Sequence, residues 1–128
     1  MFTGSAHFTP KEVACKDGCG FAEPSPALIE LAEKVRSLLQ VPMHVNSCCR
    51  CRRHNGASGG SPNSKHLTGD AMDFHCWNKL TPVAIYNIIL STYMHGGLPE
   101  LGGMGLYSNF VHIDTYHAPD GHLRLWRG

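Results

Sequence analysis

Two short strings of the sequence contain residue types that bind zinc in proteins. The first string, residues 64–75, holds His66 and Asp73, and the second, residues 110–115, holds His112. Imidazole nitrogens and carboxylate oxygens are good zinc ligands, and three protein ligands leave a fourth position open, as in catalytic zinc sites. The two strings therefore predict a catalytic zinc site formed by these three residues.

The second string alternates between apolar and polar residues, as expected for a strand with two different faces. His112 and Asp114 share the polar face. An ordinary core strand would not place a histidine and a carboxylate together on one face, so this strand is expected to border the predicted site.

The rest of the sequence predicts the helices and strands that position these residues. Three Ser-Pro or Thr-Pro pairs, at residues 9–10, 25–26 and 81–82, combine a capping side chain with a proline suited to the first helical turn. The last two pairs begin helices that are predicted to extend to about Leu39 and Met94. Strands are predicted at residues 41–46, 70–75, 105–107, 110–115 and 122–126, and a polar loop at residues 50–63.

Helices early in the chain and strands later in it predict an α+β fold in which an antiparallel sheet packs with helices. The chain has 128 residues, which fits one compact domain spanning residues 1–128. No internal repeat or linker divides the chain.

The composition excludes several functional classes. The chain carries 11 Lys and Arg against 10 Asp and Glu, a net charge of +1, which argues against a nucleic-acid partner. No apolar run approaches the ~20 residues that span a bilayer, so no membrane insertion is expected. The N-terminus lacks a basic segment followed by an apolar one, so no secretory signal peptide is expected either.

Six cysteines form a second group of candidate metal ligands, at positions 15, 19, 48, 49, 51 and 76. Cys15, Cys19, Cys49 and Cys51 offer a structural zinc site, although their spacings differ from those of zinc ribbons. Disulfides and free thiols are the alternatives, and the sequence leaves all three open.

The string Ser64-x-His66-x-x-Gly69-x-Ala71-x-Asp73, followed by Phe-Val-His-Ile-Asp at residues 110–114, resembles the zinc D-Ala-D-Ala carboxypeptidase family. That family includes bacterial murein peptidases and phage endolysins, and its fold is shared with the hedgehog signalling domain. Other segments similar to the same branch are Phe8-x-x-x-Glu12-x-x-Cys15, Val45-Asn46-Ser47-x-x-Arg50, His54-Asn55, Gly59-Gly60, Gly103-x-Gly105-x-Tyr107 and Arg124-x-Trp126.

The resemblance implies a role for each matching residue. His66, Asp73 and His112 would bind one catalytic Zn²⁺. Arg50 would face the substrate or stabilise the developing oxyanion, and Ser64 would hold a carboxylate or carbonyl oxygen of the substrate. The implied substrate is a stem peptide of bacterial peptidoglycan, and a monomer is expected.

The sequence departs from the family at one position. Many members carry Glu or Asp three residues before the last zinc ligand as a general base, and this chain has Asn109 there. An amide cannot accept a proton from water at neutral pH. Asp114 is the first candidate for the base, and the alternative is that it orients His112 by a hydrogen bond. His75 is a weaker candidate, with a structural role as its alternative.

Three functions follow as hypotheses. The first is a zinc peptidase that cleaves peptidoglycan stem peptides, as a carboxypeptidase or an endopeptidase. A phage lysis enzyme of this kind would stay in the host cytoplasm until it is released to the cell wall. The second is a zinc-dependent domain that binds wall peptides without cleaving them, which the amide at Asn109 would favour. The third is a small structural module held by zinc or disulfides.

Overall fold

The computed structural model describes residues 1–128 as one α+β domain, which confirms the predicted fold class. The helices are α1 (Pro10–Val13), α2 (Pro26–Leu39), α3 (Arg52–Ala57) and α4 (Pro82–Met94), and a 3₁₀ helix spans Lys65–Thr68. No helix has the length and hydrophobicity that crossing a bilayer requires.

The three predicted Ser-Pro and Thr-Pro pairs all begin helices. The side chains of Thr9, Ser25 and Thr81 each accept a hydrogen bond from a backbone N–H in the first turn. Such caps satisfy N–H groups that have no partner inside the helix. The predicted starts and ends of α2 and α4 are confirmed.

Five strands form a single sheet in the order β1-β2-β4-β3-β5. They are β1 (His44–Ser47), β2 (Ala71–His75), β3 (Gly103–Leu106), β4 (Val111–Asp114) and β5 (Arg124–Arg127). All neighbours are antiparallel except β3 and β5, which are parallel. Because β5 follows β4 after a turn, it runs opposite to β4 and hence in the direction of β3. The sheet is therefore mixed rather than purely antiparallel.

The two faces of the sheet have different chemistry. Met72 and Phe74 of β2 and Ile113 of β4 join the hydrophobic core, which also contains apolar side chains of α2 and α4. Successive side chains on a strand point to opposite faces. Asp73 and His112, which alternate with these core residues, therefore lie together on the other face.

The prediction that residues 50–63 form a loop is wrong in part, because α3 occupies Arg52–Ala57. Cys51 precedes this helix, and its sulfur accepts a hydrogen bond from the backbone N–H of His54. The sequence does not reveal α3 because the segment is rich in Gly and Ser and has no apolar residues at helical spacing.

Candidate metal centre

His66 lies on the 3₁₀ helix, between Ser64 at its N-terminus and Gly69, which ends it in the left-handed conformation with a φ of 73°. The ring is buried, and its Nδ1–H donates to the carbonyl oxygen of Cys48 at 2.7 Å. This bond fixes the tautomer that leaves Nε2 as an acceptor. Nε2 is buried and has no hydrogen-bond partner of acceptable geometry, although Asp73 Oδ1 is 3.2 Å away.

Asp73 and His112 are directly paired residues of β2 and β4. Asp73 Oδ1 lies 2.8 Å from His112 Nδ1. Burial alone would raise the pKa of Asp73, but the contacts with His112 and His66 hold it well below its usual range. The carboxylate is therefore ionised at neutral pH.

The structure thus brings together the three residues predicted as metal ligands. One ligand atom from each of His66, Asp73 and His112 lies within 4.8 Å of the others, and all three residues are buried. Two imidazoles and a carboxylate are a donor set that suits zinc. Nε2 of His66 is buried and has no hydrogen-bond partner, which is rare for a buried polar atom. A zinc ion bound to this nitrogen would supply the missing partner.

Asp114 holds His112 from the other side of its ring. His112 Nε2–H donates to Asp114 Oδ2 at 2.8 Å. Asp114 Oδ1 accepts the backbone N–H of Tyr116 at 3.0 Å and forms an ion pair with Arg124. Burial tends to lower the pKa of His112, but Asp114 and Asp73 outweigh it and raise that pKa. This arrangement favours the orienting role over the general base, since both Asp114 oxygens are engaged.

Arg50 lies between the end of β1 and the start of α3, beside the candidate ligand Asp73. Its guanidinium donates to Asp73 Oδ2 at 3.0 Å, Ser47 Oγ at 2.8 Å and Asn55 Oδ1 at 3.1 Å. A guanidinium carries five N–H donors, so two remain for a substrate. The side chain borders the cavity in front of the three ligands.

Asn55 is a site residue whose role the sequence does not reveal. It is buried in α3, accepts from Arg50 and donates through Nδ2 to the carbonyl oxygen of Ser61 at 2.8 Å. Gly60 packs so closely that a Cβ there would overlap Asn55 Oδ1. The Asn and Gly positions belong to segments that resemble the family, and this resemblance is the only signal that could have singled them out.

Two glycines of β3 allow β5 to reach the site. Gly105 is paired with both His112 and Trp126, and the Trp126 indole lies across it, with its ring centroid 5.0 Å from that of His112. Gly103 is likewise paired with Asp114 and Arg124. Side chains at the two glycines would overlap Trp126 and Arg124. The absence of side chains at these two positions of β3 therefore leaves the space that Trp126 and Arg124 occupy.

Replacing Gly105 with alanine is expected to destabilise the protein by about 1–3 kcal/mol, the usual range for overpacking. The new Cβ would lie 2.6 Å from Cε2 of Trp126, whose indole would have to move away from His112. Thermal unfolding measures the loss. Gly56→Ala is the matched control, because Gly56 lies in α3 with open space around its Cβ position and should keep or gain stability. Equal melting temperatures for both variants would contradict this role of Gly105.

The three ligands open into a cavity of about 430 Å³. Basic and hydroxyl side chains, among them Arg50, Ser64 and Lys65, line this cavity, and Tyr107, Phe110 and Trp126 supply aromatic rings. Ser64 Oγ accepts the His66 backbone N–H at 3.3 Å, which leaves its own O–H free to donate.

A model of the peptidase M15 family matches residues 6–114, a segment that includes His66, Asp73 and His112. The chain belongs to the peptidase M15 family. No curated protein matches the sequence significantly. Membership in a family that is generally zinc-dependent supports a metallopeptidase, and the three buried residues provide this M15 peptidase with a candidate zinc site.

Two residues that the sequence analysis considered in connection with the general base, His75 and Asn109, do not line the cavity of the M15 peptidase. His75 packs near His44 and Trp77, and its Nδ1 lies 2.9 Å from Asn46 Oδ1. Asn109 is exposed in the turn between β3 and β4. The only carboxylates that line the cavity are Asp73 and Asp114.

Proposed function

We propose that this M15 peptidase hydrolyses peptide bonds in the stem peptides of bacterial peptidoglycan. The observation that carries the proposal is the shared cavity: it joins the three metal ligands to Arg50, Ser64 and Lys65. Stem peptides carry free carboxylates close to their scissile bonds. Cationic and hydroxyl donors beside a zinc site suit such a substrate.

Each group has a separate task in the proposed hydrolysis. A zinc ion held by His66, Asp73 and His112 would polarise the scissile carbonyl and lower the pKa of bound water to about 7. The proton that this water loses would pass through solvent to the leaving amine as the C–N bond breaks. The two free N–H groups of Arg50 donate to the oxygen on which negative charge develops. The Ser64 O–H donates to a substrate carboxylate or carbonyl oxygen and so fixes the position of the peptide.

Asp114 acts in this proposal as a positioning residue for His112. Asp114→Asn replaces the carboxylate that accepts the His112 Nε2–H, and zinc affinity at the metal centre is expected to fall about 10–100-fold. Competition with a chromogenic chelator measures the affinity. Asp120→Asn is the control, because Asp120 is exposed and does not line the cavity. Unchanged zinc affinity with turnover lost would instead assign Asp114 as the general base.

The biological setting is part of the same proposal. The enzyme would act as a monomer, since one chain supplies the ligands, Arg50 and Ser64. A phage lysis enzyme with this activity would accumulate in the host cytoplasm and reach the wall after a membrane lesion. Bacterial wall remodelling would use the same chemistry.

A second candidate function is zinc-dependent binding of wall peptides without cleavage. Two observations favour it: Asn109 stands where many relatives have an acid, and both oxygens of Asp114 are already engaged. This chain therefore has no free carboxylate beside the three ligands to accept a proton from water.

Digestion of purified peptidoglycan separates the two functions. Zinc-loaded protein is incubated with the polymer, and released fragments and new amino groups are followed by mass spectrometry, with His66→Ala as the inactive control. Fragments of defined mass would support the peptidase and identify the bond. Tight binding to the polymer without any fragment would reject the peptidase in favour of the binding domain.

A further inference from the structure

Three cysteines and an aspartate form a second cluster of possible metal ligands: Cys15, Asp17, Cys19 and Cys51. We propose that these four residues, here called the cysteine site, bind a second zinc ion with a structural role. The proposal is independent of the peptidase activity, because none of the four lines the catalytic cavity.

The distances within the cysteine site suit tetrahedral zinc. One ligand atom from each of the four residues lies within 4.8 Å of the others. Cys15 Sγ and Cys51 Sγ are 3.9 Å apart, and two thiolates bound to tetrahedral zinc at about 2.3 Å would be separated by about 3.8 Å. The two oxygens of Asp17 each lie 3.1 Å from one of these sulfurs.

The surroundings of the cysteine site stabilise negative charge on its ligands. The backbone N–H groups of Cys51 and His54 point at Cys15 Sγ and Cys51 Sγ, each at 3.4 Å. Arg53 Nη2 lies 3.0 Å from Asp17 Oδ2. Hydrogen bonds to metal ligands from their surroundings hold those ligands in the orientation that the metal needs.

The fourth ligand of the cysteine site differs from the fourth ligand in the structural zinc site that the sequence leaves open as an alternative. That alternative groups Cys49 with Cys15, Cys19 and Cys51, whereas the structure places Asp17 in the cluster. Cys49 is instead fully buried in the hydrophobic core, where its backbone N–H donates to the carbonyl oxygen of Val13. Its thiol therefore takes no part in the cysteine site.

An ion at the cysteine site would connect two segments that are distant in the chain. Cys15 and Cys19 bracket a tight turn, in which the Gly18 N–H donates to the Cys15 carbonyl oxygen at 3.2 Å. Cys51 directly follows Arg50 and precedes α3. Zinc would thus fasten the N-terminal turn to the segment that holds the guanidinium beside Asp73.

Zinc counting in fully reduced protein tests the proposal. Metal analysis after removal of loosely bound ions should find two zinc ions per chain in the natural protein and one in Cys19→Ser. Cys19 is exposed, so its replacement leaves the packing of the core unchanged. Cys76→Ala is the control at a buried cysteine outside the cluster and should keep both ions.

Cobalt substitution distinguishes the cysteine site from the catalytic one. Thiolate-to-cobalt charge-transfer absorption should be present in the natural protein and in His66→Ala, and lost in Cys19→Ser/Cys51→Ser. The proposal is overturned if reduced protein holds one zinc ion that His66→Ala removes, or if the charge-transfer band is absent. Failure to cleave peptidoglycan would leave both readouts intact, so the two proposals fail independently.

Discussion

His66→Ala is expected to remove zinc from the metal centre and to lower peptidase activity by roughly 10³-fold or more. A metal that polarises the scissile carbonyl supplies several kcal/mol of transition-state stabilisation, and each 1.36 kcal/mol corresponds to about tenfold in rate. His66 contributes a nitrogen that is buried, oriented by Cys48 and free of any hydrogen-bond partner.

The measurement combines turnover of a peptidoglycan fragment with zinc content of the same sample. His122→Ala is the control, since His122 is exposed and outside the cavity, and it should retain both activity and zinc. The prediction fails if His66→Ala is folded and cleaves the fragment at near the natural rate.

Arg50→Lys is expected to lower kcat by about 10²–10³-fold while zinc stays bound. The substitution keeps a positive charge but removes the planar guanidinium group. That group donates hydrogen bonds to Ser47, Asn55 and Asp73 and still has N–H groups left to donate to a substrate. Loss of one donor to a developing oxyanion typically has an effect of this size. Lysine is preferred to alanine because deleting one partner of a buried ion pair costs about 3–5 kcal/mol in stability.

A split between kcat and KM shows which role Arg50 has. A fall in kcat at a similar KM indicates stabilisation of the transition state, and a rise in KM alone would assign Arg50 to substrate binding. Arg52→Lys, an exposed arginine in the same segment, should behave as the natural protein does. Natural kcat and KM in Arg50→Lys would exclude a role of the guanidinium in transition-state stabilisation or substrate binding.

The elements predicted best are those whose signals are local. The starts of α2 and α4 follow from Ser25 and Thr81 next to prolines, because a cap and a fixed φ act within one turn of the chain. The short helix α3 lacks an apolar repeat, and the parallel pairing of β5 with β3 depends on how the whole sheet is assembled. Neither of these features has a local signature.

The three candidate metal ligands could be predicted because their types and spacing are distinctive. The supporting residues were not, since their roles arise only from contacts across the fold. Gly105 matters because β5 places Trp126 across it, and Asn55 because it holds Arg50. Likewise, Asp114 Oδ1 is engaged because Arg124, which lies on another strand, forms an ion pair with it.

The cysteines illustrate the same limit. Spacing alone could not choose among zinc, disulfides and free thiols. The fold brings Cys51 to the turn formed by residues 15–19 and places Asp17 between the sulfurs. A ligand set with one carboxylate is not apparent from cysteine spacing.

Anomalous diffraction at the zinc absorption edge tests the central claim most directly. Crystals of the zinc-saturated natural protein should show a strong anomalous peak at bonding distance, about 2.0–2.2 Å, from His66 Nε2, Asp73 Oδ1 and His112 Nδ1. The absence of a peak between these three side chains in zinc-saturated crystals would contradict the assignment of the metal centre.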